Sequence, residues 1–417
     1  MRLVHVADLH LGYQQFGLDE RFADFTRAFR EAIDRALDLP ADAVLIAGDL
    51  FNKRELNART LLAAMDALGR LRDAGIPAIA VEGNHDKAFR AEGISWMEFL
   101  NQRGWLVLLR PAQQEGRLTL LPWDPATRSG ARYRIGDVEF CGLGYLGALA
   151  PRWLEQVADG LDADGRPRVA LLHAGIGEGP EIGRLRREDV AVLQDRVSYL
   201  ALGHIHHRYE HDGWAFNPGA PEHWDLGEIG QPKGRYIVTI EGDVRATHEA
   251  SSPRPACRAD VDISGAATPQ EAMDRIIADT AGRVPAPAAL LHLAVHGDAP
   301  FRATDLDLGA ACERLYERDG WLFIESKNQV NQRPWSLSGD VWKERRETIE
   351  RLVLAELVAQ DAELAALGDR AVDAILHLKE LAQEGADGSS MAEFARALAG
   401  GVAADAAGGL PSCMAEG

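Results

Sequence analysis

Ala47-Gly48-Asp49-Leu50-Phe51-Asn52 follows directly on Ala43-Val44-Leu45-Ile46, an apolar run with strand character, so a carboxylate stands just past the end of a buried strand. Four other polar clusters share that setting. Asp8-Leu9-His10 follows the apolar run 3–7, Gly83-Asn84-His85-Asp86 follows 76–81, His173 follows 169–172, and Gly203-His204-Ile205-His206 follows 199–202. Strands that all end in metal-competent side chains point to one site at the edge of a sheet.

Imidazole and carboxylate are common protein ligands of divalent first-row metals, and a carboxylate has two oxygens with which to bridge two ions. Asp49 is the natural bridge. With no Cys near any cluster, the donor set favours Mn²⁺, Fe²⁺ or Zn²⁺ over a structural thiolate zinc site. Two ions roughly 3.5–4 Å apart activate a water and clamp the attacking and leaving oxygens of a phosphoryl group, which suits phosphoester hydrolysis. Asn84 adds a neutral amide oxygen that limits negative charge at the site. Gly48 and Gly83 are expected where the backbone turns tightly or approaches closely. Next to the ligands, His85 is a candidate to protonate a leaving alkoxide, and Asp86 a candidate to orient it. His207 and His223 are read as solvated loop residues, and His5 and His292, inside strand-like runs, as structural.

A chain of 417 residues exceeds the roughly 250–300 at which one hydrophobic core stops growing, so two or three domains are expected. Hydrophobic residues at 46% and charged residues at 26% fit a globular protein. The four cysteines show no Cys-x-x-Cys spacing and suggest reduced thiols in a cytoplasmic protein. Neither a leader peptide nor a membrane span is expected. The net charge of −19 weighs against a nucleic-acid partner, because phosphate contacts by Lys and Arg dominate that affinity. Bound cations would offset it locally. Arg21, Lys53, Arg54, Arg59, Lys87 and Arg90 surround the clusters and read either as solvated surface or as a local basic patch.

Helical spacing of Phe22, Phe25, Ala28, Phe29, Ala32 and Ile33 predicts a helix over 18–37, and a second is expected over 60–74. Alternation with strands gives the α/β signature. In a third helix, about 94–103, the stripe Trp96, Met97, Phe99 and Leu100 reads as core packing, with a dimer surface as the alternative. Antiparallel strands are expected after residue 105, over 117–121, 132–135 and 138–142. One domain should span 1–250. After a Ser/Pro-rich linker at 251–255, strands and helices alternate through a small α/β module over 256–330, suited to substrate contact. Helices over 340–385 either pack on the body or serve a partner. Residues 400–417 read as a flexible tail.

Together these motifs resemble the calcineurin-like metallophosphoesterases. Asp8-Leu9-His10-Leu11-Gly12-Tyr13, Asp19-Glu20-Arg21-Phe22 with Asp24-Phe25, Asp49-Leu50-Phe51 and Asn217-Pro218-Gly219 narrow the resemblance to the nuclease subunit of SbcCD-type DNA double-strand-break repair complexes. The resemblance implies a two-sheet, four-layer α/β/β/α sandwich with a capping domain at 256–330, and Mn²⁺ as the usual metal. It places one ion on Asp8, His10, Asp49 and His206, the other on Asp49, Asn84, His173 and His204, and makes His85 the catalytic residue. It further implies exo- and endonucleolytic cleavage of DNA, a homodimer formed through about 60–75 and 90–103, and docking of 340–385 on an SMC-like coiled-coil ATPase. The alternative reading is a small-molecule phosphoesterase or cyclic-nucleotide phosphodiesterase. Where many members carry a His after the second motif, this chain has Asn52, which puts charge stabilisation at that position in doubt.

Overall fold

The computed structural model describes residues 1–88, 93–114, 116–161, 164–177, 183–332, 345–360 and 364–383. It divides into two compact units. One holds Met1–Asp262, Ala272–His296 and Asp307–Gln329; the other holds Ile263–Glu271, Gly297–Leu306 and the chain from Val330. The segment 256–330 is thus shared between them. Arg90, residues 340–344 and the tail 400–417 lie outside the described residues.

In the first unit two six-stranded sheets face each other. The first runs, in spatial order, Asp243–Ala250, Gly234–Glu241, Arg2–Val6, Ala43–Ile46, Ala78–Ala80 and Val107–Leu108. Its last four strands are parallel, and Gly234–Glu241 lies antiparallel to Arg2–Val6. The second runs Tyr209–His211, Ala215–Asn217, Tyr199–Leu202, Arg168–Leu172, Val138–Gly144 and Arg132–Ile135. Of the antiparallel strands expected after residue 105, the Arg132–Ile135/Val138–Gly144 hairpin forms as expected, but Val138–Gly144 also pairs in parallel with Arg168–Leu172. Arg117–Thr119 belongs to a separate hairpin with Ala112–Gln114, which the sequence pattern did not indicate.

Three hydrophobic layers account for this stacking. Phe29, Ile33, Leu68, Leu71, Met97 and Leu100, from helices Asp19–Asp38, Ala58–Asp73 and Trp96–Gln102, cover one face of the first sheet. Leu3, Leu45, Ile79, Phe140, Leu171, Tyr199 and Val238 fill the space between the sheets. Leu154, Val157, Leu172, Leu200 and Leu202 seal helix Ala150–Gly160 to the outside of the second. The central strands are buried on both faces, which is why they read as unbroken apolar runs rather than alternating ones. The outcome is the expected α/β/β/α sandwich. Met97 and Leu100 are core, and Trp96 and Phe99 are half-buried and packed against that core.

Strands Ala256–Asp262, Leu290–Ala299 and Phe323–Gln332 form a further three-stranded sheet, with the first two parallel. In the second unit, helices Arg346–Gln360 and Asp369–Gln383 pack on each other through Val358, Ala371 and Val372. Among the described residues no helix is long and apolar enough to cross a membrane.

Candidate metal centre

The polar clusters do not meet at one sheet edge. They meet where the carboxyl ends of both sheets converge. Asp8 and His10 follow Arg2–Val6, Asp49 follows Ala43–Ile46, and Asn84 follows Ala78–Ala80; from the facing sheet, His173 follows Arg168–Leu172 and His204 and His206 follow Tyr199–Leu202. Asp8, His10 and His206 converge within ligand distance of one another, as do Asp8, Asp49 and His173, and His10, Asp49 and His85. Four of these residues take left-handed backbone conformations: Asp8 at φ 53°, His10 at 45°, Asp49 at 50° and His204 at 80°. Such strain in non-glycine residues gathers at functional sites.

Hydrogen bonds set which atoms face inward. His173 Nδ1 is 2.8 Å from the Ala47 carbonyl, which can only accept, so Nδ1 carries the proton and Nε2 presents a lone pair. That lone pair lies 3.2 Å from Asp49 Oδ2 and 3.2 Å from Asn84 Oδ1, both acceptors. Asn84 Oδ1 is also 3.0 Å from His204 Nδ1. On the other side, His206 Nδ1 donates to Glu228 Oε1 at 2.7 Å, which turns His206 Nε2 toward His10 Nε2 at 3.2 Å. Buried His10 Nδ1 has no hydrogen-bond partner among the described residues. Around His173 Nε2, Asp49 Oδ2 and Asn84 Oδ1 acceptors face acceptors and require positive charge between them, and the donor set fits divalent cations. Without a cation the charge must be protons. Burial alone would lower His173, but Asp49, through its charge and hydrogen bond, raises it to about 9. Burial works to raise Asp49 as well, yet the neighbouring His173 draws it below the ordinary carboxylate range.

Glycines admit this crowding. A Cβ on Gly83 would sit 2.0 Å from Asp49 Oδ1, and one on Gly48, at φ 92°, would sit 2.3 Å from His173 Nδ1. Asn217 ties down the His206 loop, its amide donating to the carbonyls of Ile205 at 2.6 Å and His207 at 2.8 Å.

Three expectations change. Asp86 does not orient His85: its carboxylate accepts from the backbone N–H groups of Gly83 (2.9 Å), Phe51 (3.0 Å) and Leu50 (3.3 Å), pinning the loop that carries Asp49. Burial, then the charge of Asp49, raises Asp86 to about 7. The His85 ring is held instead by Asn52, whose carbonyl accepts from Nδ1 at 2.8 Å, while the Asn52 side chain accepts from Trp224 Nε1 at 3.0 Å. His223 is no solvated loop residue; it is buried, its carbonyl accepts from Arg21 Nη2 at 2.8 Å, and burial, followed by Lys233 and Arg21, lowers its imidazole to about 4. Arg21 is no surface cation either. It is fully buried and paired with Asp24 at 2.6 Å and Glu222 at 3.2 Å. His207 is exposed, as expected. Trp224, Glu228, Lys233 and Tyr145, whose ring lies 5.7 Å from that of His204, also belong to the site and carried no sequence signal: three lie in loops and Glu228 ends the single 3-10 turn Leu226–Glu228, where no periodicity or spacing marks them.

A family model described as calcineurin-like phosphoesterase matches residues 1–208. The DNA double-strand break repair protein Mre11 of Aeropyrum pernix is 30% identical over 316 residues, 72% of this chain and 74% of the relative. The chain belongs to the calcineurin-like phosphoesterases. The Mre11 proteins of Archaeoglobus fulgidus, 35% identical over 237 residues (55% of this chain, 52% of the relative), and Haloferax volcanii, 30% identical over 270 residues (63% and 55%), are similar in the same way. The chain spans about half the length of these two relatives. The matched phosphoesterase segment runs from the first cluster past His206 and so includes every candidate ligand.

Proposed function

We propose that this phosphoesterase is a metal-dependent DNA nuclease that cleaves phosphodiester bonds, exo- or endonucleolytically, in double-strand-break repair. One observation carries the reading: three overlapping groups of Asp and His, two of them sharing Asp49, converge where the strand ends of the two sheets meet, in a chain whose relatives are named for that repair process. Asp8, His10, Asp49 and His206 would hold one ion and Asp49, Asn84, His173 and His204 the other, Mn²⁺ first and Fe²⁺ or Zn²⁺ as alternatives. Bound there, the ions supply an activated water and neutralise phosphate charge.

The protein's own groups do the rest. Asn52 holds His85 through Nδ1, leaving Nε2 to protonate the departing alkoxide. Holding the ring needs only the main chain of residue 52, so Asn in that position leaves His85 in place. His85 and Asn84 open onto a cavity of about 640 Å³ that exposed Lys53 and Arg54 also line. Those cations offer backbone phosphates a grip despite the acidic net charge. An exposed mouth suits a polymer better than a small monoester that must be enclosed. Exposed Ile94, which lines a cavity with Trp96 and Phe99, and exposed Leu62 on the helix Ala58–Asp73 support a homodimer through about 60–75 and 90–103. Exposed Leu352 and Leu357 on the C-terminal helix pair support docking on an SMC-like coiled-coil ATPase.

Full-length protein with Mn²⁺, with and without such an ATPase, is expected to degrade linear DNA. His85→Ala should lower turnover by about 10²–10⁴-fold while metal content stays unchanged. Hydrolysis of nitrophenyl phosphate or cyclic nucleotides without any DNA cleavage would refute the nuclease reading in favour of a small-molecule phosphoesterase.

A further inference from the structure

The two ligand sets are supported differently from behind. His173 donates its Nδ1–H to a neutral carbonyl, Ala47 O at 2.8 Å. His206 donates its Nδ1–H to a carboxylate, Glu228 Oε1 at 2.7 Å. Glu228 is itself held from three sides. Its second oxygen accepts from Lys233 Nζ and, at 3.1 Å, from the Trp224 N–H, and the Lys233 ammonium also donates to the His206 carbonyl at 3.1 Å. Glu228 and Lys233 are both buried, 9% and 3% exposed, where an ionised pair persists only if each charge is paired and hydrogen-bonded. The ammonium lies on the far oxygen and keeps the carboxylate ionised, while the near oxygen faces the imidazole. Trp224 joins the arrangement to the catalytic side, since its indole N–H reaches Asn52, whose carbonyl holds His85.

The geometry points to Glu228 as the positioning residue of the set Asp8, His10, Asp49 and His206, and to that set as the tighter of two unequal ion positions. A ligating imidazole whose outer N–H meets a carboxylate is fixed in tautomer and orientation and made more basic, and loss of such a partner costs metal affinity by about 10–100-fold. The set also contains two carboxylates, Asp8 and Asp49, whereas the other combines Asp49 with neutral Asn84, His173 and His204. Charge and the support of His206 therefore act in the same direction. Ions load in order, and the Asn84 set fills second. This inference rests on reading the site as a two-ion centre.

The test is a Mn²⁺ titration of metal-stripped, full-length protein, followed by calorimetry and by electron paramagnetic resonance of free Mn²⁺. Wild type is expected to show a tighter and a weaker event. Glu228→Gln should weaken the tighter one by about 10–100-fold and leave the weaker in place. Asn84→Ala should weaken the other and so assign it. If unpaired Lys233 prevents Glu228→Gln from folding, the double variant Glu228→Gln/Lys233→Gln removes both charges and carries the same expectation. Equal weakening of both events, no change in either, or loss in Glu228→Gln of the event that Asn84→Ala weakens would overturn the assignment. Absence of any Mn²⁺ binding by wild type would instead bring down the two-ion reading itself.

Discussion

His5 offers a sharp physical test of how the two sheets are joined. It lies on Arg2–Val6 in the first sheet, fully buried, and both ring nitrogens are satisfied from the second: Tyr199 Oη is 2.8 Å from Nδ1 and the Leu202 carbonyl 3.0 Å from Nε2. The carbonyl only accepts, so Nε2 carries the proton and the Tyr199 hydroxyl donates to Nδ1. A second proton, on Nδ1, would have to turn the Tyr199 hydroxyl from donor to acceptor and leave its O–H to find another partner in the buried interior. Burial accordingly lowers His5 from 6.5 to about 3, with the Leu202 carbonyl opposing. The sign of the linkage follows: above about pH 6.5 the ring is neutral in both states and contributes no pH dependence. Below it the unfolded chain takes up a proton that the folded one refuses, so stability falls with pH until about 3. At 1.36 kcal/mol per unit, 6.5 − 3 units correspond to about 5 kcal/mol in full, of which about 2 kcal/mol is lost between pH 7 and 5. Urea unfolding of metal-stripped wild type and His5→Gln, followed by far-ultraviolet circular dichroism, separates this from the carboxylates, whose titration is common to both. The variant is less stable at pH 7 but should lose about 2 kcal/mol less than wild type on going to pH 5. Parallel stability curves for the two proteins would refute the buried neutral bridge.

Other substitutions test the site's framework. In Gly83→Ala the added Cβ meets the Asp49 carboxylate and backbone nitrogen rather than any unfavourable backbone angle, so Mn²⁺ affinity should fall by at least about tenfold with far-ultraviolet circular dichroism unchanged; Gly160→Ala, where a Cβ meets nothing within 4 Å among the described residues, should leave binding as it was. Unaltered Mn²⁺ binding in Gly83→Ala would show that Asp49 is not held against that glycine. Glu222 takes Arg21 on one oxygen and, on the other, Arg27 Nη2 at 3.4 Å and the Arg254 N–H at 2.9 Å. Glu222→Ala leaves the fully buried Arg21 with Asp24 as its remaining acidic partner and should cost roughly 3–5 kcal/mol in urea unfolding. A cost below about 1 kcal/mol would mark the pair as no stronger than a surface one.

The layered fold was largely legible because its central strands are buried on both faces. Apolar runs such as Val44-Leu45-Ile46 and Val169-Ala170-Leu171-Leu172 have no polar alternation to obscure them, and glycines or polar clusters mark their ends. Pairing partners were harder to read. Val138–Gly144 is an antiparallel hairpin strand to one neighbour and a parallel strand to the other, and only the fold as a whole decides the second. Arg21 misled for a related reason. An arginine on a helix reads as surface by residue type, and what buries it is a carboxylate about two hundred residues along the chain, a separation that no local pattern carries.

Within the site, the residues that the sequence showed are those tied to a strand end, and the ones it hid are those that support them. Glu228, ending the short 3-10 turn Leu226–Glu228, and Lys233, in the loop before the strand Gly234–Glu241, lie where neither a period of 2 nor one of 3.6 applies. The left-handed conformations of Asp8, His10, Asp49 and His204 were equally invisible, since Asp and His, though enriched in that region, adopt it too rarely for residue type alone to mark it. At about 1–3 kcal/mol each, the four represent a strain comparable with the net stability of an ordinary domain. The loops that impose this strain are held by contacts that reach across the fold. Asp86 grips the backbone around Asp49, Ala47 orients His173, the His204 N–H donates to both Asp8 oxygens at 2.9 and 3.0 Å, and Asn217 anchors the His206 turn. Each contact fixes one ligand through the main chain of another or of its neighbour. The strand ends that carry Asp8, Asp49, His173, His204 and His206 are therefore built as one object, and a change at any of them reaches side chains contributed by the opposite sheet.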